Sequence, residues 1–245
     1  MKQQLLTVKD NIRIANDVYM MTLDGADTSG GVPGQFINIK LDGFYLRRPI
    51  SVHDVDREKG TVTIIYKVVG KGTEAMMNMQ EGELDVLTGL GNGFDTSLAG
   101  EHPVVIGGGV GVPPMFLLAK ELIAQGKKVT AILGFNKKEE IFCEEDFKAI
   151  GADVIVATAD GSYGVKGFVT NALETVEAPT FYYACGPEPM LKALYNSSEL
   201  DAQLSFEERM GCGFGACMGC SCKTIYGNKR ICKEGPVLRK GEIIW

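Results

Sequence analysis

Seven cysteines occur in this 245-residue chain, and five of them, Cys212, Cys217, Cys220, Cys222 and Cys232, crowd together near the C-terminus. An odd, clustered set of thiols calls for a chemical explanation, and the compartment narrows it. The segment Met1 to Asp10 lacks the apolar stretch and small-residue cleavage site of a secretory signal, so the expected location is the cytoplasm. In that reducing setting clustered thiols bind metal or carry redox chemistry more often than they form a disulfide framework. The longest apolar run, residues 103–119, contains Gly107, Gly108, Gly109, Gly111, Pro113 and Pro114 and is not a spanning helix; no membrane partner is expected.

The spacing Cys212-x4-Cys217-x2-Cys220, followed by Cys232, supplies four thiolates, the number that completes tetrahedral coordination at two sulfide-bridged irons, and the first three match plant-type 2Fe-2S spacing. Gly211, Gly213, Gly215 and Gly219 let the backbone curl so that amide N–H groups can point at the sulfurs. A structural zinc site fits less well, because paired C-x2-C knuckles are absent, and a set of unconnected thiols less well still. On count alone Cys222 could replace Cys220 or Cys232. A tight loop at Gly219 would turn Cys220 inward and leave Cys222 to begin the next strand.

Upstream, two textures alternate with this segment. Residues 1–100 carry short β-branched or alternating runs (5–8, 18–23, 35–41, 49–53, 61–69 and 84–87) broken by Gly, Asp and Pro, the rhythm of a closed antiparallel barrel, with one short helix over 74–79. Residues 101–200 alternate apolar strands (104–106, 128–133, 153–157, 181–184) with amphipathic helices (113–125, 144–150, 168–175, 188–197), which implies a parallel sheet flanked by helices. The fold class is thus all-β plus α/β, in three closely packed units, 1–100, 101–200 and a small cysteine-rich 201–245. A net charge of −6 argues against nucleic acid as the partner.

Three segments look built for nucleotide cofactors. In Arg47-Arg48-Pro49-Ile50-Ser51 a forked guanidinium could neutralise a pyrophosphate while Ser51 reaches a ring. In Lys67-Val68-Val69-Gly70-Lys71-Gly72-Thr73 a strand ends and a helix opens on glycines, where backbone N–H groups and the Thr73 hydroxyl favour phosphate. Val104 to Pro114, with Gly107, Gly108, Gly109 and Gly111, is a strand, a glycine turn and a helix with proline in its first turn, although it is not G-x-G-x-x-G. The strand 181–185 runs into Gly186-Pro187-Glu188-Pro189-Met190, and both turns are expected at the carboxyl ends of parallel strands, where ligands of open α/β sheets bind. Gly134-Phe135-Asn136 and Asp160-Gly161-Ser162 are secondary candidates, the Glu139–Glu140 pair reads as solvated surface, and His53 and His102 read as structural.

Together these segments resemble the ferredoxin-NADP reductase superfamily. With Glu207 to Cys220 and the closing Cys232-Lys233-Glu234-Gly235-Pro236-Val237, essentially the whole chain resembles the electron-transfer subunits of bacterial NAD-dependent (class B) dihydroorotate dehydrogenases. It departs from that pattern in Thr88-Gly89, where Gly-Pro is usual, and in a short interval from Cys220 to Cys232. The resemblance implies FAD held by Arg48, Pro49, Ile50, Ser51, Ile65, Tyr66, Lys67, Gly70, Gly72 and Thr73, and NAD at Gly107, Gly108, Gly109, Gly111, Gly186 and Pro187. It places Cys185 beside the site of hydride transfer, as the catalytic candidate, and a 2Fe-2S cluster on Cys212, Cys217, Cys220 and Cys232. It also implies an FMN-containing catalytic partner that oxidises dihydroorotate in pyrimidine synthesis, in a heterotetramer of two of each chain. Two other readings are a flavin and iron-sulfur subunit of a ferredoxin-dependent NADP reductase, with Lys137 and Lys138 near a 2′-phosphate, and a redox-sensing binding module.

Overall fold

The structure, a computed structural model, describes residues 1–28 and 31–245. Six strands, β1 (Lys2–Ala15), β2 (Val18–Asp24), β3 (Phe36–Ile39), β4 (Arg48–Asp56), β5 (Thr61–Lys67) and β6 (Glu83–Leu90), close an antiparallel barrel in the order β1-β2-β5-β4-β3-β6. Alternation drives the closure. Along β1, Leu6 and Val8 are buried while Leu5 stays exposed, and Ile37, Ile39, Ile64, Tyr66 and Val86 meet Leu6 inside. Each such fully buried side chain contributes about 1.5–3 kcal/mol. Between β5 and β6 lies the short helix α1 (Lys71–Met77), which begins earlier than the apolar spacing suggests because the Thr73 hydroxyl caps it, accepting from the N–H groups of Val69 at 3.0 Å and Gly70 at 3.3 Å.

The second half builds a seven-stranded sheet, six of whose strands, β7 (Pro103–Gly108), β8 (Thr130–Phe135), β9 (Asp153–Thr158), β10 (Val165–Lys166), β11 (Phe181–Cys185) and β12 (Ala202–Ser205), run parallel to one another. Helices α2 (Pro113–Ala124), α3 (Glu144–Ala149), α4 (Val169–Leu173) and α5 (Glu188–Ser197) connect them. A hairpin of β13 (Ser221–Thr224) and β14 (Gly227–Arg230) follows, and then β15 (Val237–Arg239). The sheet order is β10-β9-β8-β7-β11-β12-β15. The chain winds outward from β7 in one direction and resumes at β11 on the other side, so β7 and β11 flank the topological switch point, where ligands bind in sheets of this kind.

Two joints fix the units relative to one another. Helix α2 lies against the barrel: His53 Nδ1 bonds the Pro113 carbonyl at 3.0 Å, its ring stacks on Phe116, and Lys120 Nζ meets Asp54 at 2.8 Å. The cysteine-rich segment is tied at both ends to the sheet, by β12 pairing in parallel with β11 and by β15 pairing antiparallel with β12. The expected third unit, 201–245, therefore shares its ends with the second. Among the described residues no helix is long and apolar enough to cross a membrane.

Candidate functional site

The cysteine loop runs from the end of β12 to the hairpin and is shaped by backbone that favours glycine, with φ of 76° at Gly213 and 91° at Gly215. This curl aims N–H groups inward. Ala216 and Cys217 donate to Cys212 Sγ at 3.2 and 3.4 Å. Burial raises the Cys212 thiol, but the backbone donors of Phe214, Cys217 and Ala216 outweigh it and draw the thiol down to about 6, an environment made for a thiolate. Cys220 and Cys232 are buried, Cys232 N–H donates to Cys220 Sγ at 3.4 Å, and burial pushes the Cys232 thiol up to about 12. The cysteines thus associate as two pairs, the Cys217 N–H donating to Cys212 Sγ and the Cys232 N–H to Cys220 Sγ. Among the described residues no three His, Cys, Asp or Glu side chains converge as they would around one metal ion. Two pairs of thiols suit two bridged irons, each needing two, better than one zinc ion needing four at a point. Cys222 opens β13, half-buried, with Glu208 and Glu242 nearby. Arg230 closes the loop from the hairpin, donating to the Gly215 carbonyl while it pairs with Glu234.

A cavity of about 180 Å³ lies where the three units meet. Pro49 and Ser51 reach it from the barrel, Cys185 from the end of β11, and Ser205, Glu207 and Met210 from the start of the cysteine loop. Cys185 is almost wholly buried, and its thiol is pushed up to about 12, by burial first and then by the Glu207 carboxylate; a hydrogen bond with Ser205 only partly offsets this. It is therefore a neutral thiol at physiological pH. Glu207 is itself raised above the ordinary carboxylate range by burial. The sequence assigns Glu207 no role beyond opening the segment of family resemblance, Glu207 to Cys220.

Arg48 sits against the opening of α1: a Cβ placed on Gly72 would come within 2.0 Å of its Nε. Only glycine leaves that space, so the R-x-x-S strand and the glycine segment form one cationic cradle suited to a pyrophosphate. Other expected flavin residues lie differently. The Tyr66 hydroxyl donates to Asn11 Oδ1 at 3.0 Å inside the barrel, Ile65 packs into the core shared with the sheet, and Ile50 packs against the barrel interior. The Thr73 hydroxyl is engaged by its own loop and donates to the Gly70 carbonyl at 3.0 Å. Lys67 is exposed.

A second cavity, about 450 Å³, opens at the carboxyl ends of β7, β8, β9 and β11. Gly108, Gly109 and Pro187 line it, as do Gly134, Phe135 and Asn136. Gly107, Gly111 and Gly186 do not; each is filled by close packing. A Cβ on Gly107 would lie 2.5 Å from Val112 Cα, one on Gly111 2.2 Å from the Cys185 carbonyl oxygen, and one on Gly186 2.6 Å from Met190 Cε. Gly107 lets its own turn close on Val112, and Gly111 and Gly186 let the two turns touch. Asp160 and Ser162 bond each other at 2.6 Å away from the cavity. The reading of Glu140 as solvated surface is corrected: a short 3-10 turn over Lys138–Glu140 folds it back to the cavity wall, where Asn136 Nδ2 donates to it at 2.9 Å. Lys138 instead lies over the Tyr163 ring. Phe168 and Thr170 also line the cavity, and no motif marked them.

Comparison with known proteins agrees with this division. Residues 105–195 match the model of the oxidoreductase NAD-binding domain, and residues 207–244 match that of the iron-sulfur cluster binding domain of dihydroorotate dehydrogenase B. Over 99% of its length and 99% of the relative's, the chain is 45% identical to a protein of Fusobacterium nucleatum named dihydroorotate dehydrogenase B (NAD(+)), electron transfer subunit. A Bacillus pumilus protein of the same name is 44% identical over 99% of this chain and 98% of its own. The chain belongs to this family of electron transfer subunits. It is thus the electron transfer component of an NAD-dependent oxidoreductase, and membership in a family of subunits implies a separate catalytic partner. Among solved structures, the NADH-dependent reduced ferredoxin-NADP oxidoreductase superposes with a TM-score of 0.89 at 29% identity, covering 99% of this chain and 90% of that one. A ferredoxin NADP+ reductase from Neisseria gonorrhoeae shares the fold alone, with a TM-score of 0.67 at 17% identity over 80% of this chain and 90% of that one. The barrel is therefore the flavin-binding fold of ferredoxin-NADP reductases, and FAD, a 2Fe-2S cluster and NAD are the cofactors of the family fold.

Proposed function

We propose that this subunit passes electrons from the FMN of a dihydroorotate-oxidising catalytic subunit to NAD+, in a cytoplasmic heterotetramer of two of each chain. The observation that carries the reading is the small cavity at the junction, because Ser51 of the barrel, Cys185 of the sheet and Glu207 of the cysteine loop all reach it. One wall thus belongs to each of the three expected centres. When bound, FAD exchanges hydride with nicotinamide and single electrons with iron, which is the chemistry that links the other two centres.

The residues divide this work. Arg48 holds the pyrophosphate of FAD against Gly72, and Ser51 and Pro49 border its ring. Cys212, Cys217, Cys220 and Cys232 would hold the 2Fe-2S cluster, with the N–H groups of Phe214, Ala216 and Cys217 offsetting thiolate charge. Gly108, Gly109 and Pro187 border the dinucleotide. Cys185 and Glu207 lie in the junction cavity, and burial biases both toward their protonated forms, which would lessen negative charge beside a hydride passing between nicotinamide and flavin. The Glu140 carboxylate on the cavity wall favours NAD over NADP, since it accepts hydrogen bonds from ribose hydroxyls and repels a 2′-phosphate. Arrangement of the lysines supports the same choice, because Lys138 is turned onto Tyr163.

Co-purification with the catalytic chain tests the proposal. The complex should contain FAD, FMN and iron and reduce NAD+ with dihydroorotate, whereas this subunit alone should show no dihydroorotate oxidation. A complex that reduces NAD+ equally well without iron would contradict the route.

A further inference from the structure

Asn38 is one of few polar side chains buried deep in the protein, 1% exposed on β3. Its Nδ2 donates to the Cys212 carbonyl at 3.2 Å, while its Oδ1 is buried with no hydrogen-bond partner among the described residues. Burying an amide half satisfied costs free energy that an apolar side chain there would not incur. The surroundings are nevertheless arranged around the contact. A Cβ on Gly213, where φ is 76°, would lie 2.3 Å from Asn38 Nδ2, so only glycine lets the amide reach the loop. From behind, Arg47 donates to the Asn38 carbonyl at 3.3 Å and grips Asp85 through two contacts of 2.9 Å. In the β3–β4 ladder Asn38 stands opposite Pro49, which lines the junction cavity.

We propose that Asn38 is a positioning residue that locks the Cys212 edge of the cysteine loop onto the flavin-lining strand, and that its amide is a link in the route electrons take between flavin and cluster. This rests on the functional reading above. The route runs from Pro49 across the ladder to Asn38, through its side chain to the Cys212 carbonyl, and along Cys212 to its sulfur. One electron would cross per event, lost by the reduced cluster and gained by the flavin in the direction of the proposed function and passing the opposite way under NADH, with no bond made or broken between the centres.

The test uses Asn38→Leu, which removes both the donor and the orphaned acceptor, and Asn38→Asp, which keeps the volume but replaces the donor, each in the cofactor-loaded complex. Under anaerobic NADH in a stopped-flow instrument, the flavin should bleach at the wild-type rate. The following cluster phase should slow about fivefold, the factor that one hydrogen bond's positioning of about 1 kcal/mol gives. Independently of turnover, hydrogen exchange at the amides of Ala216 and Cys217 should accelerate by a similar factor. Full cofactor content with a cluster phase and exchange rates within twofold of wild type would overturn the inference, as would loss of the cluster with flavin retained, which makes Asn38 a support of assembly only. A wild-type complex lacking flavin or cluster would instead refute the functional reading itself.

Discussion

Gly111→Ala is the sharpest perturbation available at the contact between the two nucleotide turns. An added Cβ would lie 2.2 Å from the Cys185 carbonyl oxygen, 2.5 Å from the Cys185 carbonyl carbon and 2.7 Å from Gly186 Cα. All three are backbone atoms, which cannot swing aside as a side chain can. Ordinary contact begins at 3.4 Å, so the turn after β7 and the turn after β11 must separate by 3.4 − 2.2 = 1.2 Å. Overpacking of this kind costs about 1–3 kcal/mol of stability. Its effect on chemistry is larger, because both turns line the cavity proposed for NAD and a misplacement of about 1 Å costs roughly 100-fold in rate. The assay is anaerobic reduction of the bound flavin by NADH, followed at the flavin absorbance, with a thermal melt of the same sample. Gly126→Ala is the control: its φ of 81° brings backbone strain, but nothing lies within 4 Å of its new Cβ and it is far from the turns. Flavin reduction should fall by about two orders of magnitude in Gly111→Ala and stay near wild type in the control. A Gly111→Ala protein that is folded and reduces within threefold of wild type would refute the argument that packing of these turns sets the geometry.

Other consequences are simpler to state. Glu140→Gln should raise the kcat/KM ratio of NADPH to NADH at least tenfold, about 1.4 kcal/mol of relieved repulsion; an unchanged ratio would remove Glu140 from cofactor selection. Cys232→Ser should lose the 2Fe-2S absorbance while keeping flavin, and Cys222→Ser should keep both; the reverse pattern would make Cys222 the fourth ligand. His53 is buried against Pro113 and Phe116, and desolvation lowers its pKa below 6.5, so the unfolded chain binds a proton more readily than the folded one. Stability from this group is then complete above pH 6.5 and falls as pH drops below it, by at most about 1.4 kcal/mol per unit. His53→Phe should flatten that slope in chemical denaturation at pH 5–7, and an equal slope would assign it elsewhere.

Much of the architecture was legible because its signals are local. Period-two runs such as Leu6 and Val8 mark barrel strands, and strand–glycine–proline sequences such as 104–114 mark turns at sheet ends. What the sequence concealed depends on contacts distant along the chain. Pairing of β12 with β15 spans the entire cysteine loop, so no short window shows that the third unit is sewn into the sheet. The glycine turns announced a nucleotide site but not a division of labour: Gly108 and Gly109 face the cavity, while Gly107 packs against Val112 and Gly111 against the end of β11, seventy-odd residues away. Glu140 looked like an ordinary surface acid and Glu207 carried no assigned role, and only the fold turns one into a cavity wall and buries the other. Asn38, in a run of apolar residues, carried no motif at all.

The central claim is that one chain joins a nicotinamide site, a flavin and a two-iron cluster. An anaerobic titration of the purified subunit with NADH, read by visible absorbance and low-temperature electron paramagnetic resonance, tests it most directly. The account predicts FAD, two irons and two acid-labile sulfides per chain, bleaching of the flavin, and a signal from a singly reduced 2Fe-2S cluster that is lost in Cys212→Ser. Zinc in place of iron, or a flavin that NADH reduces while the cluster stays oxidised at every potential reached by dithionite, would contradict it.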